Sequence, residues 1–263
     1  MSLREPIHRR HLFGLAAGLA PAAVLGAPAL APSVAAAAPR RAESRTPTPA
    51  VRGGTHRPAT AEQVAEARQV IPVPARTDPA EARRAVAGQL ETAAAAGNVI
   101  VEIDFQYQET GYWCGPAATR HALSARGVQV SQQQLANELP TTTNGTDWIG
   151  QVTRVLNNYV GWYETKEMPN DPPTQAQRDL LWHDIVYDLD RGYALVTNIV
   201  APASNHPPGY PNHTIWHYFT VIGYNPENQD VLIADSAGFA PTATYWLTFH
   251  QLATLIPPKG YSA

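Results

Sequence analysis

Apolar residues recur along the chain with two periods, and each period predicts a different element. Leu180, Leu181, Ile185, Val186 and Leu189 fall on one face of a helix from about Thr174 to Asp190, stopped by Gly192. Trp148, Ile149, Val152, Val155 and Leu156 repeat that spacing after Asp147. Ser131 followed by Gln132, Gln133 and Gln134 predicts a short helix opened by a capping box. Asp78 before Pro79 reads as an N-cap with proline at the first helical position, and Gly97 sits where a C-cap glycine belongs, giving a helix over about 79–96. The period then shortens. Tyr193 to Val200, His217 to Tyr224 and Val231 to Asp235 are β-rich runs, the last two separated by the turn Asn225-Pro226-Glu227-Asn228-Gln229-Asp230. Helices first and an antiparallel sheet afterwards predict an α+β domain over 99–263, with residues 78–98 as its leading helix. No repeat of fixed period is present.

The first 77 residues follow neither period. Arg9-Arg10-His11-Leu12-Phe13 opens an Ala/Gly-rich apolar run that ends in Val34-Ala35-Ala36-Ala37-Ala38 and is interrupted by Pro21, Pro28 and Pro32. A membrane helix needs about 20 strongly apolar residues, so residues 1–38 read as an export signal that is removed. The paired arginines resemble a twin-arginine signal, with ordinary secretion as the alternative. Residues 39–77 carry Pro, Arg and Thr with few large apolar groups. They cannot bury enough surface to offset ordering entropy, and read as a linker or pro-segment. Composition agrees with this division: all six Trp, all eleven Tyr and four of five Phe lie beyond residue 100. Up to residue 100 there are 12 Arg against 7 acidic residues, and beyond it 7 basic against 15 acidic residues. A domain that acidic repels phosphate backbones, so nucleic acid is excluded as a partner.

Cys114 is the only cysteine, so no disulfide can form within the chain. It is followed by Gly115-Pro116 and a helical run to Arg126, stopped by Gly127. That places the thiol at a helix N-terminus, where unpaired N–H groups favour a thiolate. Attack on a carbonyl also needs an oxyanion site, a base and a group to orient the base. Gln108 lies six residues before Cys114 and could supply an amide N–H beside the Cys114 backbone N–H, with Gln106 the competing choice. His217 opens one strand and Asp235 closes the next. Pairing Val221 with about Val231 sets His217 opposite Asp235, within reach of a carboxylate–imidazole contact.

These residues carry a resemblance. Gln108-Glu109-Thr110-Gly111-Tyr112-Trp113-Cys114-Gly115-Pro116-Ala117, the strand-opening His217 and the strand-closing Asp235 resemble the papain-like cysteine peptidases of family thirty-nine. Those are best known as bacteriocin-leader-processing domains of exporters, and the likeness is nearest to their stand-alone secreted relatives, over about residues 99–258. The resemblance implies a papain-like α+β fold with the nucleophile helix packed on the sheet. It also implies a Cys114-His217-Asp235 triad with Gln108 in the oxyanion hole. Trp113 departs from the transporter-linked enzymes, which have Asp before the cysteine.

The remaining candidates are weaker. His121, seven residues after Cys114 on one helix, is about 10 Å away along the axis and too far for direct proton transfer. His206, His213 and His217 lie in a segment broken by Pro207, Pro208 and Pro211, which argues against a zinc site; no metal and no cofactor is expected. His183 and His250 read as structural. Residues 202–216 form a Pro/Asn/Gly-rich loop that suits either a flap over a cleft or a surface crossover. Tyr112, Trp113 and Trp216 flank the chemistry and either line a substrate groove or pack the core. The expectation is therefore a secreted or extracytoplasmic monomeric cysteine peptidase, free or wall-associated, acting on a peptide or protein and meeting the membrane only during export. Two alternatives stand beside it: a silent peptide-binding module on the same fold, and a hydrolase of peptidoglycan peptides.

Overall fold

The computed structural model describes residues 78–263. The export signal expected over 1–38 and the linker expected over 39–77 lie outside the described residues. Helix α1 (Pro79–Ala95) is capped as the sequence predicts: Asp78 Oδ1 accepts from Ala80 N at 2.9 Å, and Gly97 closes the turn at φ +86°. Strand β1 (Val99–Ile100) follows, then α2 (Cys114–Ser124), α3 (Gln132–Glu138), α4 (Ile149–Tyr159), β2 (Thr165–Glu167) and α5 (Gln175–Leu189). The C-terminal part holds β3 (Leu195–Ala201), β4 (Ile215–Tyr224), β5 (Asp230–Ala234), β6 (Thr244–Thr248), α6 (Phe249–Leu255) and β7 (Gly260–Ser262).

The strands form one sheet in the order β2-β7-β3-β4-β5-β6, with β1 beside the end of β4. Every pairing is antiparallel. The fold is thus α+β, as expected. Helix α2 packs across β4 through an apolar seam that includes Ala118 and Ala122, and the Thr220 hydroxyl donates to the Ala118 carbonyl at 3.3 Å. Helix α5 is tied to the sheet by two phenols: Tyr261 donates to Asp184 at 3.0 Å and Tyr224 to Asp190 at 2.8 Å. Among the described residues, no helix is long and apolar enough to cross a membrane.

Three local expectations are corrected. Ser131 Oγ caps α3 by accepting from Gln134 N, but Gln134 does not reach back to complete a box; its amide donates outward to Glu138 and Tyr159. Strand β3 starts at Leu195, because Tyr193 instead stacks on Trp162 at 4.2 Å under the Arg126 guanidinium. The β4–β5 register also differs. Val221 pairs with Ile233, after a bulge between Val221 and Gly223, so His217 and Asp235 are not directly opposite. Continued along the strands, the observed register sets Phe219 against Asp235, which leaves His217 one diagonal step away on the same face.

Candidate active site

The chain enters α2 through a tight turn that assembles one end of the site. The Thr110 carbonyl accepts from Trp113 N at 3.3 Å and from Gln108 Nε2 at 2.9 Å, which folds the Gln108 amide against the turn that starts the helix. Cys114 is the first helical residue and is buried. As a first-turn residue, its N–H has no intrahelical acceptor. Gly115 is required by packing: the Thr146 side chain occupies the place where a Cβ would stand. Pro116 fits the first turn, where its missing N–H costs nothing.

The other side comes from β4 and the end of β5. His217 Nε2 lies 2.8 Å from Asp235 Oδ1, and both side chains are buried. His217 Nδ1 is buried without a hydrogen-bond partner, and the Cys114 side chain is near enough to the ring to act on its charge. Burial alone would lower the imidazole pKa. The charge and hydrogen bond of Asp235 outweigh it, Cys114 adds to them, and the pKa rises to about 10. Asp235 responds in the opposite sense. Burial would raise its pKa, but the His217 charge and hydrogen bond, the Tyr245 hydroxyl and the Ala237 N–H lower it to about 2. Both shifts favour the imidazolium–carboxylate form of the pair, and Cys114 acts on the same ring.

Asp235 has more partners than the sequence suggests. Its Oδ1 also accepts from Ala237 N at 2.9 Å, while Oδ2 accepts from Tyr210 at 2.7 Å and from Tyr245 at 2.6 Å. Sequence reasoning missed both tyrosines. Tyr245 lies inward on a strand whose alternation, with Leu247 also inward, was readable. Tyr210 sits among prolines in the loop between β3 and β4, and no periodic signal marks it.

Gln108 is buried, and its Oε1 accepts from Ser236 Oγ at 3.3 Å, so both ends of the amide are fixed. Gln106 is placed differently. Its backbone meets His121 Nε2, and its side-chain oxygen accepts from Gln132 at 3.5 Å. His121 is fully buried between Gln106 and Thr220, and burial first, then the Arg120 charge, lower its pKa to about 4. Tyr112 and Trp113 are half-buried and meet edge to face at 6.4 Å. Trp216 is half-buried with the Lys259 ammonium 4.2 Å above its ring. Among the described residues, no group of three His, Cys, Asp or Glu could hold a metal ion. The 202–214 loop is pinned: Asn205 donates to Thr254 at 3.0 Å, and Gln251 donates to the His206 carbonyl at 3.0 Å.

Fold and site together define an α+β domain that sets a thiol at a helix N-terminus beside a buried imidazolium–carboxylate pair. The sequence profile of the Peptidase_C39 like family matches residues 100–254, more than half of the chain, and the chain belongs to that family. Among solved structures, a protein from Bacillus anthracis described as a C39-like peptidase is similar at 14% identity and TM-score 0.42, covering 63% of this chain and 96% of that one. The peptidase domain of Streptococcus ComA, a bi-functional ABC transporter involved in quorum sensing, is similar at 16% identity and TM-score 0.39, covering 59% and 93%. A double-glycine-motif protease from an AMS/PCAT transporter, in complex with its leader peptide, is similar at 13% identity and TM-score 0.39, covering 62% and 91%. No curated protein matches the chain.

Proposed function

We propose that this protein is a secreted, stand-alone cysteine peptidase that cleaves peptide or amide bonds with Cys114 as nucleophile and His217 as acid and base. The observation that carries the reading is the placement of His217: Nε2 is held by Asp235 at 2.8 Å, and the opposite edge of the ring is left for the sulfur. The proton shared between the sulfur and His217 Nδ1 is on the ring when the sulfur attacks. The sulfur attacks the carbonyl carbon, and the oxyanion is held by the Cys114 N–H and by the second N–H of Gln108, the first being used on Thr110. His217 then gives its Nδ1 proton to the leaving amine. It takes one from water, which cleaves the thioester and restores the thiol. Asp235 keeps the ring in place throughout. Tyr112, Trp113 and Trp216 are proposed to line the substrate groove.

Membership of the Peptidase_C39 like family supports peptidase chemistry. The Arg9-Arg10 signal supports export. The test is turnover of a peptide mixture followed by mass spectrometry. Wild type is expected to cleave, and Cys114→Ala is expected to abolish cleavage with an unchanged circular dichroism spectrum. Equal cleavage by both proteins contradicts the assignment. A parallel incubation with peptidoglycan separates wall peptides from unstructured peptides as the substrate.

A further inference from the structure

The Asp235 carboxylate receives two phenol hydroxyls on the oxygen that does not touch His217. Tyr210 arrives from the loop between β3 and β4, Tyr245 from β6, and both donate to Oδ2, at 2.7 and 2.6 Å. The rings are fully or almost fully buried, and Tyr210 also meets the His217 ring edge to face at 6.1 Å. Burial, followed by the Asp235 charge, raises the pKa of each phenol well above the usual value, so both remain protonated donors. Carboxylate oxygens accept along more than one direction. A carboxylate held only through His217 could rotate about its Cα–Cβ and Cβ–Cγ bonds. Two hydroxyls on Oδ2 and the Ala237 N–H on Oδ1 remove that freedom and fix the Oδ1 lone pair toward Nε2.

We propose that Tyr210 and Tyr245 are positioning residues: through Asp235 they fix the orientation of His217, and Tyr210 makes the seating of the 202–214 loop a condition of a competent site. The proposal rests on the cysteine peptidase reading above. The loop is built for such a task. Asn205 and Gln251 fasten its first half to α6. Gly209 holds a left-handed turn at φ +78°, with the Phe239 backbone where a Cβ would stand, and this aims Tyr210 inward against the Phe239 ring at 4.8 Å. Each hydroxyl acts on the imidazole only by way of the carboxylate. Its effect must therefore vanish when the carboxylate is gone, whereas a packing role would not depend on Asp235.

That dependence is measurable with the full chain. The rate of Cys114 alkylation by iodoacetamide at pH 6 is followed in wild type, Tyr210→Phe, Tyr245→Phe, Asp235→Asn and the two double variants, with His217→Ala as reference. Each Phe variant is expected to slow alkylation about 10-fold, the scale of one hydrogen bond to a charged group, with the melting temperature recorded to confirm folding. In the Asp235→Asn background the same substitutions are expected to change the rate by less than about 2-fold. Phe variants as fast as wild type overturn the proposal, as does an equal slowing in both backgrounds. A wild-type thiol no faster than that of His217→Ala removes the peptidase reading itself, and the proposal with it. The two tyrosines come from different elements, so either variant alone carries the test should the other not fold.

Discussion

A histidine paired with a carboxylate in a dry pocket is a common arrangement, and its consequences depend on which form of each group the pocket favours. Here the two pKa displacements are opposite, and they define a pH window. His217 is raised from 6.5 to about 10, so the stability it contributes is whole below 6.5 and is lost as pH climbs through about 10. Asp235 is lowered from 3.8 to about 2, so its contribution is whole above 3.8 and is lost as pH falls through about 2. The melting-temperature gap between wild type and Asp235→Asn, measured by calorimetry across this range, is therefore expected to be widest between pH 3.8 and 6.5 and to narrow toward both extremes. A gap that stays constant up to pH 10 contradicts the ion pair. Gln108 makes a separate prediction. Gln108→Ala removes the proposed side-chain oxyanion donor and is expected to lower the turnover rate about 100-fold or more at similar KM. An effect on KM alone points to ground-state binding instead.

At the level of elements, what could be read from the sequence and what could not divide along a physical line. Helices α4 and α5 were legible because each repeats its apolar positions over several turns; the capping box of Thr174 and Gln177 at the start of α5 emerges only in the structure. Strands β2 and β7 have three residues each, too short to show a period, and they exist because they pair with each other across nearly one hundred residues. The His217–Asp235 contact was anticipated from an assumed register that the structure corrects. The observed pairing at Val221 is offset by two residues from the assumed one, and the contact survives because both side chains stay on one face. Tyr210 was illegible for a different reason. Its importance lies in a hydrogen bond to a residue 25 positions away, which no local pattern encodes. Its loop can be tested directly. Gly209→Ala forces a side chain into a left-handed backbone against the Phe239 carbonyl, and is expected to cost about 1–3 kcal/mol in denaturant unfolding. A neutral substitution contradicts the tight seating of this segment.

For the whole molecule, most of the aromatic side chains lie within the stretch that the family profile matches. The first described helix opens at Pro79, and the family match opens at residue 100. The proposed catalytic groups come from three regions far apart in the chain: the turn into α2, the start of β4 and the end of β5. The sheet brings them together, so the site exists only when the antiparallel order is complete. Protein collected outside the producing cell is expected to lack about the first 38 residues by intact-mass measurement. A secreted product still carrying Met1 contradicts the export reading. The central claim is that His217 activates the Cys114 sulfur as a nucleophile, and alkylation of Cys114 near pH 6 tests it most directly. The account predicts rapid modification in wild type and at least about a tenfold loss of rate in His217→Ala. A thiol that reacts slowly in wild type, or equally fast in both proteins, contradicts it.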